Sequence, residues 1–239
     1  WAKKQGIVNS LPPAESDNAH RPEYNPLIAI DSPANNQTVM GQLLNVNISA
    51  AAPRGVSRIE YYIDGYLFDT AAAAPFSLSK SISALINGSH ELTARACDAA
   101  DNCAEQKINF ILTQNSRPKK FNIGVNLVDP AANAGLFKYD FPYLIKALVS
   151  NPEQVAGVNL FLKDSAGNAA WLGQAKIKDK TALAWLANPP APGAYTLYAE
   201  ARGWQGQSAK SGDVMITIKS LPSAAATSTP ATTTPAIAQ

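Results

Sequence analysis

The chain has few of the residues on which catalysis most often depends. Its 239 residues include only two histidines, His20 and His90, and only two cysteines, Cys97 and Cys103. No apolar run approaches the ~18 residues that a membrane-spanning helix needs, and no long amphipathic helix pattern is present. These absences disfavour an enzyme active site and a helical membrane segment.

An excess of charge of one sign is also lacking. The chain carries 20 Lys and Arg against 18 Asp and Glu, interspersed, for a net charge of +2. Nucleic-acid binding or a polybasic membrane patch would require clustered basic residues, so neither partner is expected. The chain begins with Trp1 and shows no secretory signal. We therefore expect a piece of a longer protein whose targeting signal lies upstream.

Both ends of the chain have too little apolar content to fold alone. Residues 1–25 combine a short "WAKKQGI" with a run rich in Pro, Asn, Ser and Glu, which predicts a linker from an upstream domain. Residues 220–239 are rich in Ser, Thr, Pro and Ala and predict a disordered tail. Such a tail is compatible with O-glycosylation or with threading through a cell wall.

Short strand patterns fill residues 26–114. Runs such as "LLNVNISAAA" and "FSLSKSIS" alternate apolar with polar residues, as a half-buried strand does. Asp64-Gly65, inside "IEYYIDGYLFDT", is a strong β-hairpin signal. Roughly seven such strands separated by turn residues predict an antiparallel β-sandwich of the immunoglobulin type.

Residues 121–219 repeat this plan, with seven further strand patterns from "FNIGVNLV" to "DVMITIK". The run "VAGVNLFLKDSAGNAAWLG" corresponds in position to "VSRIEYYIDGYLF" of the first segment. An all-β chain of two tandem immunoglobulin-like sandwiches, joined by a hinge at 115–120, is therefore expected. The segment 129–142 fits no strand pattern and is expected to be a long loop or a short helix.

The two cysteines flank a five-residue turn between strands that we expect to be antiparallel neighbours. Opposed residues in such a ladder have Cα atoms about 4.5–5.5 Å apart, which a disulfide tolerates. A redox motif would require Cys-x-x-Cys beside a helix, and a structural zinc would require four ligands. A Cys97–Cys103 disulfide is the favoured interpretation, with two reduced packing thiols as the alternative. A disulfide indicates an oxidising, extracytoplasmic compartment.

Asp98, Asp101 and Asn102 crowd the turn between the cysteines. Carboxylates in the end loops of a sandwich can hold calcium, and Asp31 and Asp69 could approach from other loops. Asp and Asn are also common turn residues, because they hydrogen-bond their own backbone and tolerate left-handed conformations. The acidic spacing is irregular, so turn formation is favoured and calcium is kept as a weak candidate; no cofactor is expected.

Three short matches to penicillin-interacting serine enzymes occur: S-x-x-K at 77–80, S-D-N at 16–18 and a near K-T-G at 180–182. Ser77 and Lys80 would share a face on a helix, but this run alternates as a strand, in which positions i and i+3 point to opposite faces. The S-D-N match lies in the linker and precedes the S-x-x-K match, and Ala182 replaces the glycine. We interpret all three as chance matches.

The other polar candidates have ordinary structural interpretations. His90 begins a strand after Gly88, where an imidazole usually faces solvent or bonds a turn. Glu60 and Asp64 lie on one strand face, and solvated polar positions explain them as well as a paired carboxylate would. No catalytic residue is therefore predicted.

Three of the four tryptophans lie in the second segment, where exposed rings could stack on sugars. One tryptophan between the sheets is usual for this architecture, and we expect it to be Trp185. Trp204, in the "RGWQGQ" turn, is expected to be the exposed one. Trp204 and Trp171 are weak candidates for a ligand-binding site.

The first segment resembles the bacterial Ig-like modules found at the C-terminus of class A penicillin-binding proteins. The resemblance rests on I-x-S-P-x5-V at 30–39, Y-x-I-D-G at 61–65, P-F at 75–76 and the pattern carried by Gly88, His90, Leu92, Ala94, Ala96, Asp98 and Asn102. "WAKKQGIVNSLPP" is similar to the stretch that often leaves the transpeptidase domain. The resemblance covers about residues 1–113, and the second segment matches only the general Ig-like pattern.

The resemblance implies a parent that assembles peptidoglycan at the outer face of the cytoplasmic membrane, with its catalytic residues upstream of Trp1. We expect this chain to be a non-catalytic, extracytoplasmic spacer or docking element of the cell envelope. Its partners would be peptidoglycan or envelope proteins. The alternative is an adhesive or glycan-binding surface module that recognises a ligand through the second sandwich.

Overall fold

The computed structural model describes residues 20–115 and 120–220, and within them the protein is built from strands. The only helical turns in these ranges are three short 3-10 helices at Pro22–Tyr24, Lys138–Asp140 and Pro152–Gln154. None of the helices described is long and apolar enough to cross a membrane. Most of the predicted linker and hinge, and almost all of the predicted tail, lie outside the described residues. The all-β prediction is confirmed.

The first sandwich, residues 26–114, packs two sheets face to face. The smaller sheet has the order β1-β3-β6 and the larger the order β2-β8-β7-β4-β5. All pairings are antiparallel except that of β2 with β8. The strands are β1 Leu27–Ser32, β2 Gln37–Met40, β3 Leu43–Ala51, β4 Arg58–Ile63, β5 Tyr66–Ala71, β6 Leu78–Ser81, β7 Gly88–Cys97 and β8 Cys103–Thr113.

The core of the first sandwich forms because alternate side chains of both sheets point inward. Strand β4 shows this alternation clearly: Ile59, Tyr61 and Ile63 are fully buried, and the residues between them are partly exposed. Burial raises the pKa of the Tyr61 phenol to about 12. Its hydroxyl donates a hydrogen bond to the Phe76 carbonyl, which satisfies the polar atom inside the core.

The second sandwich, residues 121–219, follows the same plan with one continuous sheet that folds over itself. The sheet order is β10-β17-β15-β12-β13-β14-β11-β9, with β16 also paired to β15. The strands are β9 Gly124–Asp129, β10 Ala134–Phe137, β11 Tyr143–Ser150, β12 Val155–Lys163, β13 Ala169–Lys178, β14 Thr181–Leu186, β15 Gly193–Gly203, β16 Ser208–Lys210 and β17 Val214–Lys219.

Strand β13 joins the two layers of the second sandwich. Its first part pairs with β12, and its last residues, 176–178, pair with β14 of the opposite layer. Gly173 lies where the strand turns, with φ at 134°, a backbone conformation that other residues rarely adopt. The core between the layers includes the fully buried Leu160 and Leu197.

Strand by strand, the two sandwiches have equivalent connections. In both, the first strand is followed by an X-Pro bond in the cis form, at Pro33 and at Pro130. A residue with positive φ follows three positions later, Asn36 or Asn133, and its N–H donates to the last strand. A short strand then pairs in parallel with that last strand, β2 with β8 and β10 with β17. The tandem prediction is therefore confirmed.

The two short parallel strands were not predicted. The sequence interpretation of 129–142 as a long loop or a short helix is wrong in part, because this segment contains β10 as well as the 3-10 helix at Lys138–Asp140. A strand of four residues that lies at a sheet edge carries too little alternation to be recognised as a strand.

Candidate functional site

The sandwiches meet at an aromatic junction that three side chains build. Trp204 of the second sandwich lies edge-on against Tyr66 and Phe68 of the first, with ring centroids 6.1 Å and 6.0 Å away. The interplanar angles are 80° and 81°, the T-shaped arrangement in which ring edges meet ring faces favourably. Trp204 also packs against the core of the first sandwich. We call these three residues the aromatic junction.

The turn that carries Trp204 is itself held by hydrogen bonds. The Trp204 N–H donates to the Gln154 carbonyl at 3.0 Å, and the Gln205 side-chain amide donates to Gln154 Oε1 at 3.0 Å. Gln207, which is buried, accepts from the Gln205 N–H at 3.0 Å and donates to the Phe121 carbonyl at 3.3 Å. Because the turn is anchored at several points, the indole projects from a fixed support.

A glycine allows the two sandwiches to approach closely beside the aromatic junction. A Cβ on Gly157 would lie 2.5 Å from Cδ1 of Tyr66 and would also overlap the amide nitrogen of Gln174. Gln174 accepts a hydrogen bond from the Leu67 N–H at 3.4 Å, so an edge donor of β5 finds a partner in the other sandwich. The contact thus combines packing with hydrogen bonding across the two domains.

A cleft of about 430 Å³ lies next to the aromatic junction. The first sandwich contributes residues from β5 and from 80–85, and the second contributes Trp204 and residues around 152–156 and 174–177. Lys80, at its wall, pairs with Asp69 at 3.1 Å and donates to the Phe68 carbonyl at 2.8 Å. The cleft is therefore a consequence of how the domains meet, and Lys80 at its wall is already engaged with groups of its own sandwich.

The predicted disulfide is confirmed. Cys97 and Cys103 are directly opposed on β7 and β8, are bonded to each other and have Cα atoms 4.2 Å apart. The bond closes the base of the turn at Asp98–Asn102.

The Asp98 carboxylate is used to build that turn. Its Oδ1 accepts the N–H groups of Ala100 and Asn102 at 2.8 and 2.9 Å, and its Oδ2 accepts the Asn102 amide at 2.8 Å. The Asn102 side chain lowers the pKa of Asp98 most, and the backbone donors lower it further against the effect of burial. The same arrangement recurs in the second sandwich, where the Asp164 carboxylate accepts from the N–H and amide of Asn168.

The other acidic residues that sequence considered for calcium are engaged elsewhere. Asp31 accepts from the Ser49 hydroxyl at 2.6 Å, Asp69 pairs with Lys80, and Asp101 pairs with Arg58 at 2.8 Å. Within residues 20–115 and 120–220, no group of three or more His, Cys, Asp or Glu side chains could hold a metal ion. Because the same Asp–Asn turn recurs in the second sandwich, we interpret Asp98 and Asn102 as residues that form the turn.

The residues of the serine-enzyme matches are not assembled. Ser77 lies just before β6, and Lys80, on that strand, is paired with Asp69. Lys180 and Thr181 lie at the start of β14 in the other sandwich. The S-D-N match at 16–18 lies outside the described residues.

His90 lies inside the first sandwich, where it bonds a turn. Its side chain is only 6% exposed; Nδ1 lies 2.7 Å from Asp64 Oδ2 and Nε2 lies 2.8 Å from the Ile86 carbonyl. Burial lowers the pKa of the imidazole, but Asp64 and the Ile86 carbonyl raise it more, so the net change is upward. For Asp64, burial raises the pKa and the hydrogen bond from His90 lowers it, for a net decrease.

Glu60 is less solvated than the sequence suggested. It accepts hydrogen bonds from Arg58 Nε at 2.9 Å and from the Tyr62 hydroxyl at 2.8 Å. Burial raises the pKa of Glu60, and these two donors lower it more, so it decreases overall. It and Asp64 have separate partners and do not form a carboxylate pair with each other.

Two of the tryptophan predictions are wrong. Trp185, expected in the core, is 59% exposed on β14, because the alternation of that strand buries Leu186 and Ala182 instead. Trp204, expected to be exposed, is partly buried in the aromatic junction. Trp171 is 63% exposed on β13. Of the two tryptophans named as ligand candidates, one serves the domain contact and the other faces solvent.

Sequence reasoning missed Tyr66, Phe68 and Gln174, the partners of the domain contact. One available signal was Gly157, a glycine within the strand pattern "VAGVNLFLK", since a glycine inside a strand often marks a close approach of another group. The sequence does not indicate which group approaches it.

Comparison with known proteins finds a family match in the first sandwich. Residues 26–94 match the model of the bacterial Ig domain family, so this part of the chain is similar to bacterial Ig domains. No curated protein matches the chain. The family match and the disulfide together indicate an extracytoplasmic surface module.

Several solved structures show weak overall likeness. The fibronectin(III)-like modules of Clostridium thermocellum CbhA are 17% identical, with 81% of this chain and 95% of that chain covered and a TM-score of 0.34. A tetra-tandem repeat from the extending region of a large adhesion protein is 19% identical, with 82% and 49% covered and a TM-score of 0.32. Bacteroides ovatus SGBP-B, solved with a mixed-linkage heptasaccharide, is 12% identical, with 82% and 47% covered and a TM-score of 0.30. Likeness at this level carries no argument about what this chain binds.

Proposed function

We propose that this chain is a non-catalytic pair of Ig-like domains that acts as a spacer of fixed shape in the cell envelope. A spacer must keep its two ends at a defined distance and angle, so its domains must resist bending at their contact. The observation that carries the proposal is the aromatic junction, in which Trp204 packs edge-on against Tyr66 and Phe68. Inter-domain contacts without such packing normally permit relative motion.

Three further contacts support a fixed angle. Gln174 hydrogen-bonds the edge of β5, Gly157 permits the close approach, and the turn bearing Trp204 is tied to Gln154. A hydrogen bond to a strand edge is directional, whereas aromatic packing alone would tolerate some sliding. Together the contacts constrain both the separation and the rotation of the two sandwiches.

The non-catalytic part of the proposal is supported by the surroundings of the reactive side chains. Both ring nitrogens of His90 are engaged, with Asp64 and with a backbone carbonyl. Lys80 is engaged with Asp69 and Phe68, and Ser77 lies outside its reach along an extended strand. A general base or an activated nucleophile needs a free lone pair aimed at a substrate.

The finer part of the proposal is that the spacer belongs to a peptidoglycan synthase. It rests on the resemblance of the "RPEYNPLIAIDSPANNQTV" segment and of the β4–β8 patterns to modules that follow a transpeptidase domain. The upstream genomic sequence tests it directly: we expect transpeptidase motifs there, and a reading frame without them would end this assignment while leaving the spacer role intact.

The fixed angle is tested by nuclear magnetic resonance relaxation on the full chain. We expect the two sandwiches of the wild-type protein to tumble with one rotational correlation time. In Trp204→Ala the aromatic junction is lost, and each sandwich should tumble faster and with its own correlation time. Trp185→Ala is the matched control, because it removes a tryptophan of the same sandwich that faces solvent. Separate tumbling already in the wild-type protein would refute the spacer.

A second candidate function, recognition of a glycan through the second sandwich, is favoured by one observation. Trp171 is 63% exposed on a sheet face that also carries Phe161 and Tyr198. A large exposed aromatic surface on a soluble domain often marks an interaction site. The two functions are compatible, because Trp171 is not part of the aromatic junction.

A further inference from the structure

The outer face of the β10-β17-β15-β12-β13 layer carries a row of aromatic residues. Phe161 on β12 lies directly opposite Trp171 on β13 and opposite Tyr198 on β15. All three are partly or largely exposed, whereas their neighbours Leu160, Leu162 and Leu197 are buried. The row therefore lies on the solvent side of the sheet.

Two of the three rings are engaged with other side chains. Phe161 and Tyr198 stack on each other with centroids 5.1 Å apart and an interplanar angle of 11°. The ammonium of Lys210 lies 4.1 Å from the Tyr198 centroid, as in a cation–π contact. These two rings thus support each other, and Trp171, at 63%, is the most exposed ring of the row.

The indole of Trp171 is held in place although it is exposed. Its Nε1–H donates to Asn159 Oδ1 at 3.2 Å, across the β12–β13 ladder. Its neighbours on the strand, Ala169 and Ala170, are too small to cover it. An exposed ring that is already fixed loses little conformational entropy when a ligand binds, which favours affinity.

The lysines beside the aromatic row are paired with carboxylates. Lys163 and Lys210 both approach Asp213, at 3.9 Å and 3.5 Å, and Glu200 is the cross-strand partner of Lys210. Arg202 lies farther along the same face of β15. An uncharged ligand matches such a face better than an anionic polymer does, because the latter would require unpaired basic residues.

We propose that the Trp171 face binds an uncharged, β-1,4-linked glycan, a site that rests on the second candidate function. The axial C–H groups of a pyranose with equatorial substituents form a flat, weakly positive surface that fits the negative face of an aromatic ring. Asn159, fixed by the indole, offers its amide to a sugar hydroxyl next to the stacked ring. Phe161 is the cross-strand partner of Trp171 and lies on the same face of the sheet.

A second copy of the chain is a poorer occupant. A stable protein interface buries about 800 Å² on each partner, and its centre is depleted of charged residues. Here one free tryptophan is bordered by Lys163, Lys210, Glu200 and Asp213. The site suits a narrow ligand that covers one or two rings at a time.

The test is isothermal titration of the full chain with chitohexaose, together with co-sedimentation with insoluble chitin, the uncharged polymer of the same sugar. We expect Trp171→Ala to weaken binding by at least about tenfold, as loss of a central aromatic contact does. Asn159→Ala should weaken it less. The matched control is Trp185→Ala, which removes an equally exposed tryptophan from the opposite layer and should leave the affinity unchanged.

The possible outcomes distinguish a failure of the Trp171 site from a failure of glycan recognition by the second sandwich. Binding by the wild-type chain that Trp171→Ala does not weaken would overturn the site and leave glycan recognition standing. Equal losses in Trp171→Ala and Trp185→Ala would also overturn it. No binding of either probe by the wild-type chain would refute the second candidate function and the site together, without bearing on the fixed angle of the spacer.

Discussion

The turn at the end of β7 is Asp98–Asn102 in the first sandwich, and the turn at the end of β15 is Gly203–Gln207 in the second. The backbone is the same in both: the first N–H of the turn donates to its last carbonyl, and the fourth residue, Asp101 or Gly206, has positive φ. In the first sandwich the turn is closed by the disulfide and by the Asp98 carboxylate. In the second, glutamines hold the turn and Trp204 projects from it into the aromatic junction.

The difference shows how one backbone geometry serves two purposes. In the first sandwich, the Asp98 carboxylate and the Asn102 amide hydrogen-bond within the turn, and Asp101 pairs with Arg58 of the same sandwich. In the second sandwich, Gln154 and Gln207 hold the turn by hydrogen bonds. The second position of that turn can therefore carry the large side chain of Trp204. The first sandwich is stabilised internally by its turn, whereas the second uses the equivalent turn to contact its neighbour.

Each sandwich has its own core, so truncating a core side chain should destabilise one sandwich and not the other. This is the largest effect on stability that we expect. Leu160→Ala should lower the free energy of unfolding of the second sandwich by about 3 kcal/mol, because Leu160 is 1% exposed. Leu92→Ala, at a fully buried position, is the counterpart in the first. Denaturant unfolding followed by residue-resolved NMR should show each loss confined to its own sandwich. A uniform loss would mean a single cooperative unit.

Removing the disulfide should have the next largest effect. Cys97→Ala with Cys103→Ala should destabilise the first sandwich by about 2 kcal/mol, since the closed loop is short and a short loop restrains the unfolded chain less. Urea unfolding of the variant, compared with that of the oxidised wild-type protein, checks the value. We expect no change in the second sandwich, and an equal loss there would show that the two turns are not independent.

The paired Asp–Asn turns allow a sharper test with a smaller effect. Asp98→Ala should lower the midpoint of thermal unfolding of the first sandwich, because three hydrogen bonds to its carboxylate are lost. Asp164→Ala removes the equivalent carboxylate in a turn without a cystine. With the disulfide intact, the midpoint of thermal unfolding should fall less for the first sandwich in Asp98→Ala than for the second sandwich in Asp164→Ala. The opposite order would show that the disulfide does not compensate for the turn.

The smallest expected effect is the pH dependence that the His90–Asp64 pair gives to the stability of the first sandwich. The pKa of His90 is raised in the folded state, so its stabilisation is present below its unfolded value of about 6.5 and is lost as the pH rises through the folded value. The pKa of Asp64 is lowered, so its share is lost only as the pH falls below about 4. His90→Gln should therefore lower the free energy of unfolding most near pH 5 and least at alkaline pH. A pH-independent difference in urea unfolding between wild type and variant would contradict this.

The sequence was sufficient for the parts of the fold that follow from alternation and turn chemistry. Strand β4 and the Asp64-Gly65 hairpin were recognisable because apolar residues recur at every second position around a strong turn. The cystine was recognisable because the hairpin places Cys97 opposite Cys103. The parallel strands β2 and β10 were not, because their partners lie about seventy residues away or more and four residues give no clear period.

The candidate site was less predictable, for a physical reason. Alternating apolar and polar residues indicate that one face of a strand is buried. Which face is buried depends on the register of the strand with its neighbours. Trp185 was placed in the core because one tryptophan between the sheets is usual for this architecture, and the register of β14 places it outside. Trp204 was expected to be exposed because it lies in a turn, yet a second domain covers it, and no local pattern indicates a contact between residues 138 positions apart.

Cutting the chain between the two sandwiches would expose both halves of the aromatic junction at once. A recombinant fragment of the first sandwich would present Tyr66 and Phe68 to water, and a fragment of the second would present Trp204. Each fragment would then expose an apolar patch that is covered in the intact chain. Self-association of the separate halves during purification would thus be an artefact of the excision, and neither sandwich can be transplanted into another protein without also redesigning this surface.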